Sequence, residues 1–262
     1  MKTYFLLWSL VFFLPVYQHV AMAQVTAKKQ NVDIIFIGNS ITYGANVDNP
    51  KEEAPPVPAC AYLRHQPGVG EVAFSNQGIS GYTTLDFSPA GNPFAKVVAA
   101  TRLLHTDKTR MLIFSVSLGT NDSAENGTNG HAMDPKDYYK NMKAIIDQLM
   151  IEFPGCKIIL QQPIWYSPNT NNGVKYEAEG LARLQTYFPE LKALAKEYSK
   201  TWPGRVYMGD TRAYGWFKKH HLTNYAYETG INGTFYLHPN REGSKKLGEF
   251  WARAIYDKLL TY

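Results

Sequence analysis

The run Asp33-Ile34-Ile35-Phe36-Ile37-Gly38-Asn39-Ser40-Ile41-Thr42 decides the fold. Its apolar, β-type half reads as a strand of a parallel sheet, buried on both faces. Gly38 lets the backbone turn sharply and sets Ser40 just past the carboxyl end of that strand, where open α/β sheets place their ligands. Two roles fit Ser40 there: a nucleophile, or the cap of the next helix, since Gly, Asn and Ser are ordinary strand-to-helix turn residues. Taken alone, the stretch favours the cap. The blocks downstream change that balance.

Four further β runs follow at spacings that leave room for helices: Glu71 to Asn76, Met111 to Ser117, Lys157 to Gln161 and Arg205 to Met208. Between and after them, helical patterns cover Ala59 to His65, Pro93 to His105, Asp134-Pro135 through Phe153, Lys175 to Lys200 with a turn-sized break near Pro189, Arg212 to Lys219, and Arg241 to Leu260. Asp134-Pro135 is a cap and first-turn pair. The passage Tyr43 to Pro58, with Lys51-Glu52-Glu53 and Pro55-Pro56, reads as a loop on the active face. Strands alternating with helices predict a parallel five-stranded sheet covered on both faces, with right-handed crossovers. In that arrangement Ser40, Gly81, Asn121 and the Trp165-Tyr166 loop leave strand ends of one polarity and converge on one rim.

The chain has 262 residues, 45% hydrophobic and 19% charged, which suits one domain with one substantial core. Lys2, the apolar run Tyr4 to Val16 and the small-x-small Ala21-Met22-Ala23 read as a secretory signal over residues 1–23, leaving a domain over 24–262. Pro15 and the shortness of the run argue against a retained membrane anchor. The expectation is an exported protein, periplasmic or secreted, with no stable membrane insertion after cleavage. The net charge is +5, and the basic pairs Lys28-Lys29, Lys218-Lys219 and Lys245-Lys246 are scattered, so nucleic acid is not an expected partner. Cys60 and Cys156 leave a disulfide open. His220-His221 lacks companion ligands at metal spacing, and neither a metal nor another cofactor is expected.

Past the last strand, Gly233-Thr234-Phe235-Tyr236-Leu237-His238-Pro239 places a histidine just before the final helix. With Gly38-Asn39-Ser40, Asn76-Gln77-Gly78-Ile79-Ser80-Gly81 and Gly119-Thr120-Asn121-Asp122, it completes four blocks in order, and the chain from Val32 to about Tyr256 resembles the SGNH (GDSL) hydrolase superfamily. The resemblance implies a flavodoxin-like three-layer α/β/α sandwich. It implies Ser40 as nucleophile, His238 as base, and an oxyanion hole from the N–H groups of Ser40 and Gly81 and the side chain of Asn121. Those residue types suit acyl transfer: a serine hydroxyl needs a neutral imidazole to take its proton, and the oxygen that gains charge needs fixed donors.

The family's last block carries an Asp three residues before the His, and here that position is Phe235. Three outcomes follow: another carboxylate orients the ring, a main-chain carbonyl does, or the protein binds without catalysing. Glu228 is the candidate for the first, against the reading of a solvated loop acid. Phe235 is expected to pack beneath the histidine, and Asp122 to be a turn residue. Trp165 and Tyr166 stand evenly between sugar stacking and core packing.

The Tyr166-Ser167-Pro168-Asn169 loop and the Thr234-to-Pro239 block resemble those of bacterial sialate O-acetylesterases and related sugar esterases. The implied function is an exported serine esterase that removes acetyl or other small acyl groups from a carbohydrate, with an acylated sugar or small ester as its partner molecule. The alternatives are a lysophospholipase-like or broad arylesterase, and a non-catalytic carbohydrate-binding protein.

Overall fold

Strand β1 (Gln30–Gly38) is flanked on both edges, by β2 (Val69–Gly78) and β3 (Met111–Ser117), and its side chains are buried on both faces. With β4 (Lys157–Leu160) and β5 (Val206–Met208) these strands form one sheet in the order β2-β1-β3-β4-β5. Every pairing is parallel. This computed structural model describes residues 1, 29–127 and 130–261. The expected signal segment therefore lies outside the described residues, Met1 apart.

Nine helices lie among the described residues: α1 (Ser40–Tyr43), α2 (Pro50–Glu53), α3 (Pro56–Arg64), α4 (Asn92–Leu104), α5 (Pro135–Glu152), α6 (Glu177–Thr201), α7 (Ala213–Lys219), α8 (His221–Asn224) and α9 (Arg241–Ile255). A π-helical turn, Tyr256–Leu260, extends α9. The two-residue period of the strands assigns alternate side chains to two cores. Ile35 and Ile37 join Phe114 and Val116 against α4, α5 and α6, through Val97, Tyr138 and Leu184. Val32, Ile34 and Phe36 face α3, α7 and α9, through Leu63, Phe217 and Trp251. This is a three-layer sandwich in which each fully buried Ile or Phe contributes about 2 kcal/mol.

The sheet order locates the site. The chain steps from β1 outward to β2, then crosses back over β1 to β3, so β1 and β3 flank the switch point of the sheet. Open parallel sheets leave their crevice there, beyond the carboxyl ends of the strands. Ser40 follows β1 and Asn121 follows β3.

The structure departs from the sequence reading in four places. The passage Tyr43 to Pro58 is not a plain loop: it holds α2, capped by Asn49 with Pro50 in the first turn, and the first turn of α3. Proline suits a first turn, where its missing N–H costs nothing. Helix α6 runs through Pro189 without the expected break. Burial of Leu184, Tyr187, Leu191 and Leu194, on both sides of the proline, outweighs the one lost hydrogen bond. An antiparallel hairpin, β6 (Glu228–Gly230) and β7 (Gly233–Phe235), was not foreseen. Its signal was Gly233, the left-handed glycine at φ +84° that follows the two connecting residues Ile231 and Asn232. The fourth departure, at Trp165 and Tyr166, belongs to the site.

Cys60 and Cys156 are free and buried, in the two cores on opposite faces of the sheet. Burial pushes the Cys60 thiol up to about 12, against the pull of Arg64. At the amino-terminal end of the sheet, buried Asp33 pairs with His105 Nδ1 at 2.9 Å and Arg110 Nε at 2.6 Å, a structural use for a histidine without a motif. Among the described residues no helix is long and apolar enough to cross a membrane.

Candidate active site

At Gly38 there is no room for a side chain: a Cβ there would lie 2.0 Å from Thr42 Oγ1 and 2.9 Å from the Ser117 carbonyl. The chain then turns directly into α1, with Asn39 Oδ1 accepting from the Ile41 N–H at 3.0 Å. The cap is thus Asn39, and Ser40 is free of that task. Ser40 Oγ lies 2.8 Å from His238 Nε2.

His238 precedes α9, whose own cap is Asn240 Oδ1, accepting from the Gly243 N–H at 3.0 Å. The other ring nitrogen, Nδ1, lies 2.8 Å from Glu228 Oε2. Glu228 Oε1 accepts from the main-chain N–H groups of His238 at 3.0 Å and Leu237 at 3.3 Å. Burial raises the Glu228 carboxyl, but the ring, charge and N–H of His238, joined by the Asn46 side chain, outweigh it and hold the group below its ordinary value. It is therefore a carboxylate at neutral pH, which can only accept hydrogen bonds and so requires the proton on Nδ1. Nε2 is left as the acceptor facing the Ser40 hydroxyl.

Phe235, in the family's acid position, is buried in the core of the α4–α6 face, and it pairs with Glu228 across the hairpin. The carboxylate thus arrives from the strand opposite. The reading of Glu228 as a solvated loop acid does not hold.

Gly81 and Asn121 follow β2 and β3, the two strands beside β1. Ile79 N–H bonds the Gly38 carbonyl at 3.0 Å, so the segment leaving β2 is tied to the Ser40 turn. Gly81 has φ +81°, a conformation that glycine adopts without strain. Asn121 Nδ2 donates to the Tyr82 carbonyl at 2.8 Å, and Asp122 Oδ1 accepts from the Thr84 N–H at 2.9 Å and from the Thr84 hydroxyl. The adjacent Asn121 and Asp122 therefore clamp the segment that follows Gly81. Asp122 is a structural turn residue as expected. Its bond to Thr84 had no signal in the sequence, because 38 residues separate the two.

Asp122 has a measurable consequence. Its Oδ2 is buried with no hydrogen-bond partner among the described residues. Burial pushes the carboxyl from 3.8 up to about 6, against the pull of the Thr84 hydrogen bonds. A folded pKa raised above the unfolded one gives stability that is present below the unfolded value and is lost as pH rises through about 6. The loss is on the order of 3 kcal/mol. Asp122→Asn keeps an acceptor for Thr84 and cannot ionise. Urea unfolding at pH 4 and pH 7.5 is expected to show the variant gaining on the parent by that amount at the higher pH. A parent–variant difference that does not change with pH would contradict this.

Trp165 and Tyr166 are corrected. Tyr166 is fully buried, with its hydroxyl 2.9 Å from Ser123 Oγ. Trp165 is 6% exposed, packs on His221 and Tyr225, and its carbonyl accepts from the Tyr225 hydroxyl. Neither offers a ring face to a sugar. The Tyr166 side chain turns inward after β4, where its hydroxyl finds a buried partner. His220 stacks on Trp216 at 4.4 Å, and His221 packs between Trp165 and Tyr236. Among the described residues no group of three or more His, Cys, Asp or Glu side chains gathers to hold a metal ion.

The missed residue is Tyr176. Its hydroxyl donates to Asn121 Oδ1 at 2.7 Å from a buried position at the start of α6. Nothing in the local sequence marks it.

No curated protein matches the chain. Among solved structures it is similar to a carbohydrate acetylesterase from Sinorhizobium meliloti, 17% identical with a TM-score of 0.59, over 87% of this chain and 99% of that one. It is similar to a catalytic mutant of an acetylxylan esterase from Geobacillus stearothermophilus, 17% identical with a TM-score of 0.59, over 88% and 95%. It is also similar to an aryl esterase of M. smegmatis, 14% identical with a TM-score of 0.58, over 87% and 100%. At such identities the likeness is one of fold. The sequence itself goes further: residues 36–246 match the GDSL-like lipase/acylhydrolase family model, and the chain belongs to that family.

Proposed function

We propose that the protein is an exported serine esterase that removes O-acetyl groups from a carbohydrate. One observation carries the reading: the chain of two 2.8 Å hydrogen bonds from Ser40 Oγ through His238 to Glu228.

The steps follow from the geometry. Ser40 Oγ attacks the ester carbonyl carbon while its proton passes to His238 Nε2, and Glu228 stabilises the imidazolium that forms. The negative charge on the carbonyl oxygen is met by the N–H groups of Ser40 and Gly81 and by the Asn121 amide, each worth roughly 3 kcal/mol. Collapse breaks the bond to the alkoxyl oxygen, which takes the proton from His238 and leaves as the sugar alcohol. Water, activated by the same imidazole, then cleaves the acetyl-serine to acetate and regenerates Ser40.

Support for a sugar comes from two directions. Two of the similar structures are a carbohydrate acetylesterase and a catalytic mutant of an acetylxylan esterase. Beside α1 lies a groove of about 580 Å³ lined by Tyr43, Phe74, Asn49, Lys51 and Asn76 among others. The exposed Tyr43 ring and the Lys51 ammonium suit the C–H face and hydroxyls of a sugar ring. The binding-protein alternative loses its main support, since it rested on the missing acid at Phe235 and Glu228 bonds His238 instead. Export rests on residues 1–23 of the sequence.

The test is acetate release from acetylated xylan and from O-acetylated sialic acid, with p-nitrophenyl acetate as a generic ester. Release from a glycan, absent in Ser40→Ala, is the expected result. Turnover of p-nitrophenyl acetate without release from either glycan would replace the carbohydrate reading by that of an arylesterase.

A further inference from the structure

We infer that Tyr176 is a positioning residue of the oxyanion hole: its hydroxyl, 2.7 Å from Asn121 Oδ1, holds the Asn121 amide in the orientation that leaves an N–H for the reacting carbonyl. The inference rests on the esterase reading above and adds a residue that none of the four sequence blocks contains.

Asn121 carries one acceptor oxygen and two N–H donors, and a rotation of 180° about its terminal bond exchanges the two ends with almost no change in shape. Only one orientation places a donor on a developing oxyanion. The opposite orientation would aim a carbonyl dipole at negative charge and oppose the reaction.

The Tyr82 carbonyl chooses between them, and the Tyr176 hydroxyl, bonded to the other end, holds the amide as chosen. The Tyr82 carbonyl can only accept, so the Nδ2 end must face it, and it does so at 2.8 Å. The Tyr176 hydroxyl completes the set by donating to Oδ1. With both bonds made, one N–H of Nδ2 remains, and that is the donor the oxyanion requires. Burial, with the nearby Glu228 and Asp122 carboxylates, pushes the Tyr176 hydroxyl well above its ordinary value. It therefore remains a donor throughout the pH range in which an esterase works.

Tyr176 is itself held. Its ring stands edge-to-face on Tyr166, centroids 5.4 Å apart, and Tyr166 is anchored in turn on Ser123. Its main-chain N–H bonds the Thr170 carbonyl at 3.2 Å. The next residue, Glu177, sits at φ +47°, a left-handed conformation that a non-glycine residue adopts at some cost. Its carboxylate accepts from Asn171 at 2.7 Å and from Asn232 at 2.9 Å. Asn232 lies between the strands of the hairpin that carries Glu228, so one loop supports both the oxyanion donor and the acid that orients His238.

The test is a double-mutant cycle on p-nitrophenyl acetate with Tyr176→Phe, Asn121→Ala and the pair. Tyr176→Phe keeps the ring and removes only the hydroxyl. It is expected to lower kcat about 10- to 100-fold, short of the roughly 10²- to 10³-fold cost of deleting a donor outright, with KM within about twofold. In the Asn121→Ala background the same substitution is expected to change kcat by less than about twofold, since no amide remains to be oriented. A residue that merely supported the fold would lower activity by the same factor in both backgrounds, and that additivity would overturn the inference. An unmodified enzyme that turns over no ester would overturn the esterase reading, and this role with it. An active enzyme unaffected by Tyr176→Phe would overturn this role alone.

Discussion

Replacing Ser40 by Ala is expected to lower kcat for any ester substrate by roughly 10⁶, with the fold intact. Ser40 Oγ is the atom that meets His238 Nε2, and Asn39 rather than Ser40 caps the helix, so the substitution removes the proposed nucleophile without removing a helix cap. His238→Ala should cost about as much, because a hydroxyl with no base beside it is not a useful nucleophile at neutral pH. The double variant should be little worse than either single one, since residues that act as a unit are not additive. Initial rates on p-nitrophenyl acetate for the three variants, with circular dichroism to establish folding, check all of this. Losses that multiply in the double variant would contradict a shared proton-transfer step.

Glu228→Gln is expected to lower kcat by about 10⁴. The two ends of the side chain have different partners. In the native site Oε1 accepts two main-chain N–H groups and Oε2 faces His238 Nδ1, so both ends must be acceptors. Glutamine has one acceptor end and one donor end. If its oxygen stays with the main chain, its NH₂ faces Nδ1 and forces the proton onto Nε2, where the imidazole can no longer take one from Ser40. If its oxygen turns to Nδ1, its NH₂ meets the N–H groups of Leu237 and His238 and the loop is pushed away. Steady-state kinetics on the same ester, with KM little changed, is the measurement. Activity within tenfold of the parent would mean that a group other than Glu228 orients the ring.

The arrangement of Glu228 also shows which features the sequence made legible. Runs such as Asp33 to Gly38 and Met111 to Ser117 carry their fate locally, because a continuous β-type apolar stretch has few other uses in a domain of this size. The four motif blocks each sit on the turn that follows a strand or precedes a helix, where backbone geometry and residue type are tightly linked. The places of Ser40, His238, Gly81 and Asn121 at the ends of strands and before a helix were therefore readable. Glu228 was named from the need for a carboxylate, but its place opposite Phe235 depends on a hairpin whose strands are three residues each, too short for a periodicity to show.

Other residues were legible in kind and not in place. Trp165 and Tyr166 are amphipathic aromatics, and a sequence cannot say whether such a tip meets water or a buried hydroxyl; Tyr166 meets Ser123. Tyr176 is bonded to Asn121 across 55 residues of chain, and the Thr84–Asp122 clamp spans 38, so both exist only once the sheet has brought its strand ends together. Pro189 misled for the opposite reason. Its local preference against a helix is real but is outweighed by apolar contacts on both flanks that a local reading cannot weigh.

The central claim is that Ser40 is an activated nucleophile, and covalent labelling by a fluorophosphonate tests it most directly. Intact-protein mass spectrometry should show one adduct per chain, and peptide mapping should place it on Ser40. The adduct should be absent in Ser40→Ala and should form far more slowly in Glu228→Gln. A folded protein that takes up no label, or takes it up at another residue, would contradict the account.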